Sequence, residues 1–575
     1  MTYKLSTRPL SLLTCALAMP LALCTAPPAE SIAIRARSVA AQTTGAAQAN
    51  PAAAQPTPAT RTTPATAQPT PVTQATPVTV TIDPFAPGPA VPERFLGLSF
   101  EAAALNQLVQ YAHRGDLVAL LKSLGPGVLR FGGITADENV GWTDQATPRP
   151  TWASSAIGPA DMTALGELAR RSGWRVLLTV GLAHYEPRAA AREVASAKRA
   201  LGPYLAAVEI GNEPDAYGRH GFRELPWIAQ GYEEEVSAYR EAIGALSPGV
   251  PIAGPDVSGS GAFPEWGEEE ALSQEPALLT GHHYPLGCTQ TPPPSIEALL
   301  SPATRNREAQ SLVTYLTVAK AHDIPLRIDE TNTVSCGGVA GISDTFGSAL
   351  WATSYITQAM AAGAAGINLE GNPTHCAGYT PLCAPDPGAV ARGALRAQPE
   401  WYALLLTRSL VGERPVPATI STGSGPEPAE PAPPSEETGE QAPSPVASAA
   451  PNLVANAFAG PKGTIQVVLV DDEAPGSSAL ELQLKGLSQN MAAAQVLPLS
   501  APSPNATAGV ALAEDQVTPG GVWGPRRRPP DLPVHGGTLA LRLPPSSAAL
   551  VTVSPRRTPS RRRGHRSKKR SHGIG

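Results

Sequence analysis

Residues 175–215 read RVLLTVGLAHYEPRAAAREVASAKRALGPYLAAVEIGNEPD. A short Val- and Leu-rich run, RVLLTV, is followed by a helix-like segment, AAAREVASAKRAL, and then by a second apolar run, AAVEI. Strand, helix, strand in that order is the unit of a parallel sheet, because parallel neighbours need a crossover long enough to hold a helix. The texture continues in both directions between Phe95 and Thr407: FLGLSF and GVLRF precede this stretch, and PIAG, LLTGHH, LRID and GINLE follow it. In YEEEVSAYREAIGAL, Val236, Tyr239, Ile243 and Leu246 recur at helical spacing while Glu and Arg take the other face. Eight strand–helix units over roughly 300 residues match a closed (β/α)8 barrel, the TIM barrel. An open doubly wound sheet is the alternative, but no dinucleotide glycine fingerprint follows the first strand.

Functional side chains of such a barrel project from the C-terminal ends of its strands. Strand one ends at Glu101, and strand two ends at Arg130-Phe131-Gly132-Gly133 with Asp137 just beyond. Strand four ends Gly211-Asn212-Glu213-Pro214-Asp215, and strand six ends His282-His283-Tyr284. Strand seven ends Asp329-Glu330-Thr331-Asn332, and strand eight ends Glu370-Gly371-Asn372. Glu213 and Glu330 stand at matched points of strands four and seven. Glycosidic bond cleavage needs two carboxyl groups, one to protonate the leaving oxygen and one to attack C1 or activate water. A lone Asn-Glu-Pro is a common loop; two glutamates at matched strand ends, each near an Asn, are far more specific.

The flanks have other textures. Residues 1–26 carry Lys4 and Arg8 before a short apolar run that breaks at small residues and Pro, which reads as an export signal. Residues 27–76 read as a disordered Pro/Thr/Ala-rich linker, and 77–93 contain a strand, VTVTID. The barrel is assigned to 94–412 and a β-sandwich to 413–555, with a disordered acidic Pro-rich insertion at 421–451. ANAFAG, TIQVVLVDD, ALELQLKG, AAAQVLPL, TLALRLPPSS and AALVTVSP supply the short strands of an antiparallel sandwich, completed by the pre-barrel strand. Residues 556–575 form a basic disordered tail suited to contact with an anionic surface.

Composition narrows the class. The chain has 575 residues, a net charge of −5 and 16% charged residues, which gives no reason to expect a nucleic-acid partner. Four cysteines follow the signal: Cys288, Cys336, Cys376 and Cys383. An even number in a secreted or periplasmic chain favours disulfides; three pairings are open, and Cys376 with Cys383 closes the most local loop. No paired Cys-x-x-Cys pattern supports a metal, and neither metal nor organic cofactor is expected.

LRFGGITAD (129–137), VEIGNEPDAY (208–217), GHHYPLGC (281–288) and IDETNTVSCGGVAGISDTFGSALWATSYI (328–356) resemble glycoside hydrolase family 79, the β-glucuronidase and heparanase-like enzymes. The resemblance spans roughly Val78 to Pro555, closely at strands four and seven and only in texture over the sandwich. It implies that Glu213 is the acid/base, Glu330 the nucleophile and Asn212 the ligand of the sugar 2-hydroxyl. It also assigns Gly337 and Tyr379 to the substrate carboxylate; relatives carry a larger hydroxyl residue at the position of Ser335. Physical logic adds that Arg130 beside Glu330 favours the ionised nucleophile, and that Tyr284 donates to it. That ionised neighbour disfavours a second negative charge on the donor carboxyl. Of His282 and His283, one points into the barrel and one toward the helices; Glu101, Asp137 and His283 complete the candidate substrate-binding set.

The expected function is therefore a retaining exo-β-glucuronidase releasing terminal (4-O-methyl-)glucuronic acid from a glycan. The barrel-top loops are poor in Lys and Arg, which disfavours an endo enzyme with a basic cleft. A β-xylosidase or arabinofuranosidase of the same clan, and a catalytically silent glycan-binding or wall-adhesion protein, are the other readings.

Overall fold

The computed structural model describes residues 78–422 and 450–556. The expected signal segment, the linker, most of the acidic insertion and nearly all of the basic tail lie outside the described residues. Among the described residues no helix is long and apolar enough to cross a membrane.

Eight parallel strands close into a barrel in chain order: Leu96–Glu101, Val128–Gly132, Arg175–Val180, Leu205–Ile210, Ile252–Val257, Leu278–His283, Leu326–Thr331 and Gly366–Glu370. The expected fold class holds. Helices follow the strands, among them Pro159–Ser172, Pro187–Leu201, Ala229–Leu246, Pro302–Ala321 and Phe346–Ala362. Their apolar faces pack on the outside of the sheet, which accounts for the near-continuous burial of each strand. Val128, Leu177, Ala207 and Ala253 form a small apolar cluster of strand residues. Two and three residues further along the same strands the chemistry changes to Arg130, Thr179, Glu209 and Asp256. A polar layer above an apolar plug puts the charges at the C-terminal mouth.

The sandwich consists of two sheets. One has the order Ala418–Thr422, Val78–Ile82, Leu480–Lys485, Leu539–Leu543. The other runs Arg414–Val416, Leu453–Ala459, Ile465–Asp471, Ser547–Pro555, Met491–Ser500, Ala511–Leu512, with Leu532–Pro533 also on Met491–Ser500. The pre-barrel strand thus sits between two C-terminal strands, antiparallel to Ala418–Thr422 and parallel to Leu480–Lys485. The parallel pairing departs from an all-antiparallel sandwich; the whole barrel serves as the long connection that it requires. Ser421 and Thr422 pair with Thr79 and Val78, so the insertion begins later than composition suggested. That edge strand is largely exposed and carries no apolar run to mark it. Arg305 bonds to Asp472 at 2.8 Å and Asn456 to Thr357 at 3.0 Å, joining sandwich to barrel helices.

Disulfides join Cys288 to Cys336 and Cys376 to Cys383. The first links the loops after strands six and seven. The second closes the loop after strand eight.

Candidate active site

Strand four ends at Ile210, and Gly211 (φ 83°) turns the chain outward. Glu213 follows in the left-handed region (φ 48°), a conformation that a side chain with a Cβ adopts only when its surroundings enforce it. Two neighbours do so. Glu213 N donates to Asp256 O at 3.0 Å, and Ala216 N to Glu213 O at 2.8 Å. Across the mouth, Glu330 occupies a register shift between strands six and seven. The two carboxylates and the His282 imidazole offer one atom each, and these atoms all lie within 4.8 Å of one another.

Arg130 is fully buried beneath this pair. Its Nη1 donates to Glu330 Oε2 at 2.7 Å and to Ser99 Oγ at 3.1 Å; its Nη2 donates to Asp256 Oδ2 at 2.8 Å and to Asn212 Oδ1 at 2.9 Å. Its Nε lies 3.0 Å from Glu209 Oε2 and 2.9 Å from Asp329 Oδ2. Burial opposes its charge, but Asp256, Glu209, Asp329 and Glu330 more than compensate. Such a side chain cannot also bind sugar, so the assignment of Arg130 to substrate is corrected: it organises the carboxylates. Gly132 is required above it, since a Cβ there would come within 2.7 Å of the guanidinium carbon.

Glu330 is buried, which by itself would raise its pKa. His282, Arg130 and the Tyr284 hydroxyl outweigh burial and hold it below the usual carboxylate value. Tyr284 donates to Glu330 Oε1 at 2.8 Å. His282 is also fully buried, yet Glu330, Asp256 and Glu213 push its pKa well above that of free imidazole. As an imidazolium it donates through Nδ1 to Glu213 Oε1 and through Nε2 to Asp256 Oδ1, both at 2.9 Å.

This network adds a residue and corrects an assignment. His282, left without a role by sequence reasoning, is the ring beside both carboxylates, while His283 lines the wall of the cavity as a candidate substrate contact. His283 stacks on Tyr355 at 5.0 Å and faces Ser311 and Glu308 at the side of the cavity. Asp137 is buried away from the cavity. Its carboxylate accepts from the amides of Leu182, Ala183 and Asn212 and from the Tyr217 hydroxyl, at 2.6–3.0 Å. It therefore fixes the Asn212-Glu213 turn from behind.

A cavity of about 1300 Å³ opens over the pair and is lined by Glu101, Asn212, Glu213, Tyr284, Glu330 and Tyr379 among others. Glu101 accepts from Thr135 N at 3.0 Å and from its hydroxyl at 2.5 Å. Gly337 (φ 86°) donates its amide to the Tyr379 hydroxyl at 3.2 Å. Tyr379 stacks on Tyr284 with ring centroids 5.8 Å apart. Ser335 Oγ accepts from Cys288 N at 3.2 Å, so this small hydroxyl ties the first disulfide down. Asp256 and Glu209 are network members that sequence reasoning passed over, and Asp329 is one that it named at a strand end without a role. Alternation along VEI and RID, with Glu209 and Asp329 placed like Arg130 in LRF, was the available signal.

Glu213, His282 and Glu330, and likewise Asp256, His282 and Asp329, bring donor atoms close enough to share an ion. Arg130 already bonds to three of the four carboxylates in those groups.

No protein-family profile matches the sequence, and no curated protein matches it. Solved structures do match. A 4-O-α-L-rhamnosyl-β-D-glucuronidase from Fusarium oxysporum 12S is 19% identical, with a TM-score of 0.61, over 82% of this chain and 100% of that one. A GH51 arabinofuranosidase from Xanthomonas axonopodis pv. citri is 15% identical, with a TM-score of 0.56, over 83% and 100%. CelM2, a bifunctional glucanase-xylanase from a metagenome library, is 13% identical, with a TM-score of 0.50, over 84% and 99%. At these identities the likeness is one of fold: a barrel joined to a sandwich.

Proposed function

We propose that the chain is a secreted retaining β-glycoside hydrolase of the clan that includes family 79, acting as an exo-β-glucuronidase. One observation carries the reading: Glu213 and Glu330, from opposite sides of the barrel mouth, bring carboxylate oxygens within 4.8 Å of each other. So close an approach supports direct attack, for which the carboxyl groups stand about 5–5.5 Å apart, over a water-activating pair at about 6.5–9.5 Å.

Glu330, kept ionised by His282, Arg130 and Tyr284, attacks the anomeric carbon. Glu213, a quarter exposed at the rim, gives its proton to the leaving oxygen. The covalent glycosyl ester is then hydrolysed by a water that loses its proton to Glu213, which restores both groups. Asn212, its amide oxygen turned to Arg130, presents its amide nitrogen to the 2-hydroxyl. The Gly337 amide and Tyr379 hydroxyl receive the uronate carboxylate. The name of the Fusarium neighbour, a β-D-glucuronidase, agrees with this choice of sugar, and the two disulfides agree with export.

Glu101 on the same wall favours a second reading, a neutral sugar such as a β-xyloside or arabinofuranoside. Turnover of p-nitrophenyl β-glucuronide against the β-xyloside, β-galactoside and α-arabinofuranoside separates them. Preferential release from the glucuronide supports the proposal; preferential release from a neutral glycoside overturns the sugar assignment. No release from any of them by folded protein favours the binding-protein reading.

A further inference from the structure

The cavity poses a charge problem for an anionic sugar. Glu101, Glu213, Glu308, Glu330 and Glu370 all line it, and among the described residues Arg307 is the one Lys or Arg on its wall. Arg130, below, is committed to Glu209, Asp256, Asp329 and Glu330. A uronate enters such a site only if part of the wall is neutral.

Burial pushes up both Glu101 and Glu370, but Thr135 donates twice to Glu101, and Glu370 has the oxygen without a donor. Glu370 ends barrel strand eight, paired in register with Ser99 on strand one. It is only 3% exposed, and its Oε2 has no hydrogen-bond partner. The charged groups around it come from every neighbouring element: Glu101 from strand one, Arg130 from strand two, and Glu330 from strand seven. Tyr284 and Tyr379 stand on the cavity side. Behind the strand, Asn332 Nδ2 donates to Glu370 O at 2.8 Å and to buried Glu400 at 3.1 Å. A buried carboxylate oxygen without a donor, beside two other carboxyl groups, is costly as an anion and takes up a proton instead. Burial, then Glu330 and Glu101, push this carboxyl well above its ordinary range; Ser99 and Arg130 pull back only in part.

We propose that Glu370 is a specificity-determining residue, a neutral carboxyl whose O–H donates a hydrogen bond to the substrate carboxylate beside Gly337 and Tyr379. The proposal rests on the uronate reading above. No bond is broken: one proton is shared between two carboxyl groups, the arrangement of a short charge-assisted hydrogen bond. Affinity for a uronate is then lost as pH rises and Glu370 ionises, because two like charges meet in a dry pocket. A neutral glycoside is spared that repulsion.

The test is KM as a function of pH, from about pH 5 to pH 9, for p-nitrophenyl β-glucuronide and β-xyloside with wild type, E370Q and E370A. The wild-type KM for the glucuronide should climb about tenfold or more toward alkaline pH, while any xyloside KM stays flat. E370Q, a permanent donor, should abolish the climb; E370A should raise the glucuronide KM about tenfold even at acid pH. An unaltered climb in E370Q, with wild type cleaving the glucuronide, overturns the role of Glu370 and leaves the uronate reading standing. Wild type cleaving only neutral glycosides overturns both. Should the variants not fold, glucuronate binding to wild type by calorimetry in two buffers of different ionisation heat gives the same answer. Proton uptake that grows toward alkaline pH supports the proposal, and its absence across the range overturns it.

Discussion

His282 lies between Glu213 and Asp256, with one ring nitrogen 2.9 Å from a carboxylate oxygen of each. A buried imidazolium held from below by Asp256 fixes where the Glu213 carboxyl points. His282→Asn should therefore lower kcat on the preferred glycoside about 10–100-fold while changing KM little, since a charge-assisted hydrogen bond contributes about 1.5–3 kcal/mol. Steady-state kinetics and a shifted pH profile would report it; an equal loss in thermal stability and rate, with the profile unmoved, would mean the ring is only structural.

Against burial, His282, Arg130 and Tyr284 together hold the Glu330 carboxylate below its ordinary range. With a folded-state value lowered, the ionised form is retained as pH falls, and the acid limb of kcat/KM set by Glu330 lies below that of a free carboxyl. Tyr284→Phe removes one donor. The limb should move toward higher pH, and kcat/KM should fall about 10–100-fold.

Loss of the acid/base should be separable from loss of the nucleophile. Glu213→Ala should cost about 10²–10⁴-fold on substrates with poor leaving groups and much less on nitrophenolates, which leave without protonation. Azide should restore turnover and give a glycosyl azide of retained configuration. An azide product of inverted configuration would reassign the chemistry to an inverting pair.

The buried charges also set stability. Arg130→Met leaves four carboxylates without their common cation and should cost about 3–5 kcal/mol in urea unfolding. Glu193 gives a cleaner case. Burial alone raises its pKa to about 8. Its folded-state value lies above the unfolded one, so its contribution is intact at low pH and is lost as pH rises through 8. Glu193→Gln should leave stability near pH 4 little changed and raise it by up to about 5 kcal/mol near pH 9.

Much of this arrangement was legible from the chain. Apolar runs eight times over, with amphipathic segments between them, specify a closed parallel sheet, and strand-end position singles out Glu213 and Glu330. What escaped is which way neighbouring side chains turn. His282 and His283 differ only by alternation, and a bulge at strand seven shifts the register beside them. Arg130 and Asp137 stand at strand ends like true ligands, yet burial commits both to neighbouring protein groups. The Ala418–Thr422 strand, largely exposed and short of apolar residues, carried too little pattern to separate it from the insertion that follows.

Val78–Ile82 finds both of its sheet neighbours only after the entire barrel has been made. During synthesis this strand, the first among the described residues, stays unsatisfied, with Val80 and Ile82 lacking the cover they have in the finished protein, until the last quarter of the polypeptide arrives. A barrel expressed without its trailing sequence would present an orphaned sticky segment, so the barrel depends for its solubility on residues that do not line the cavity at its mouth.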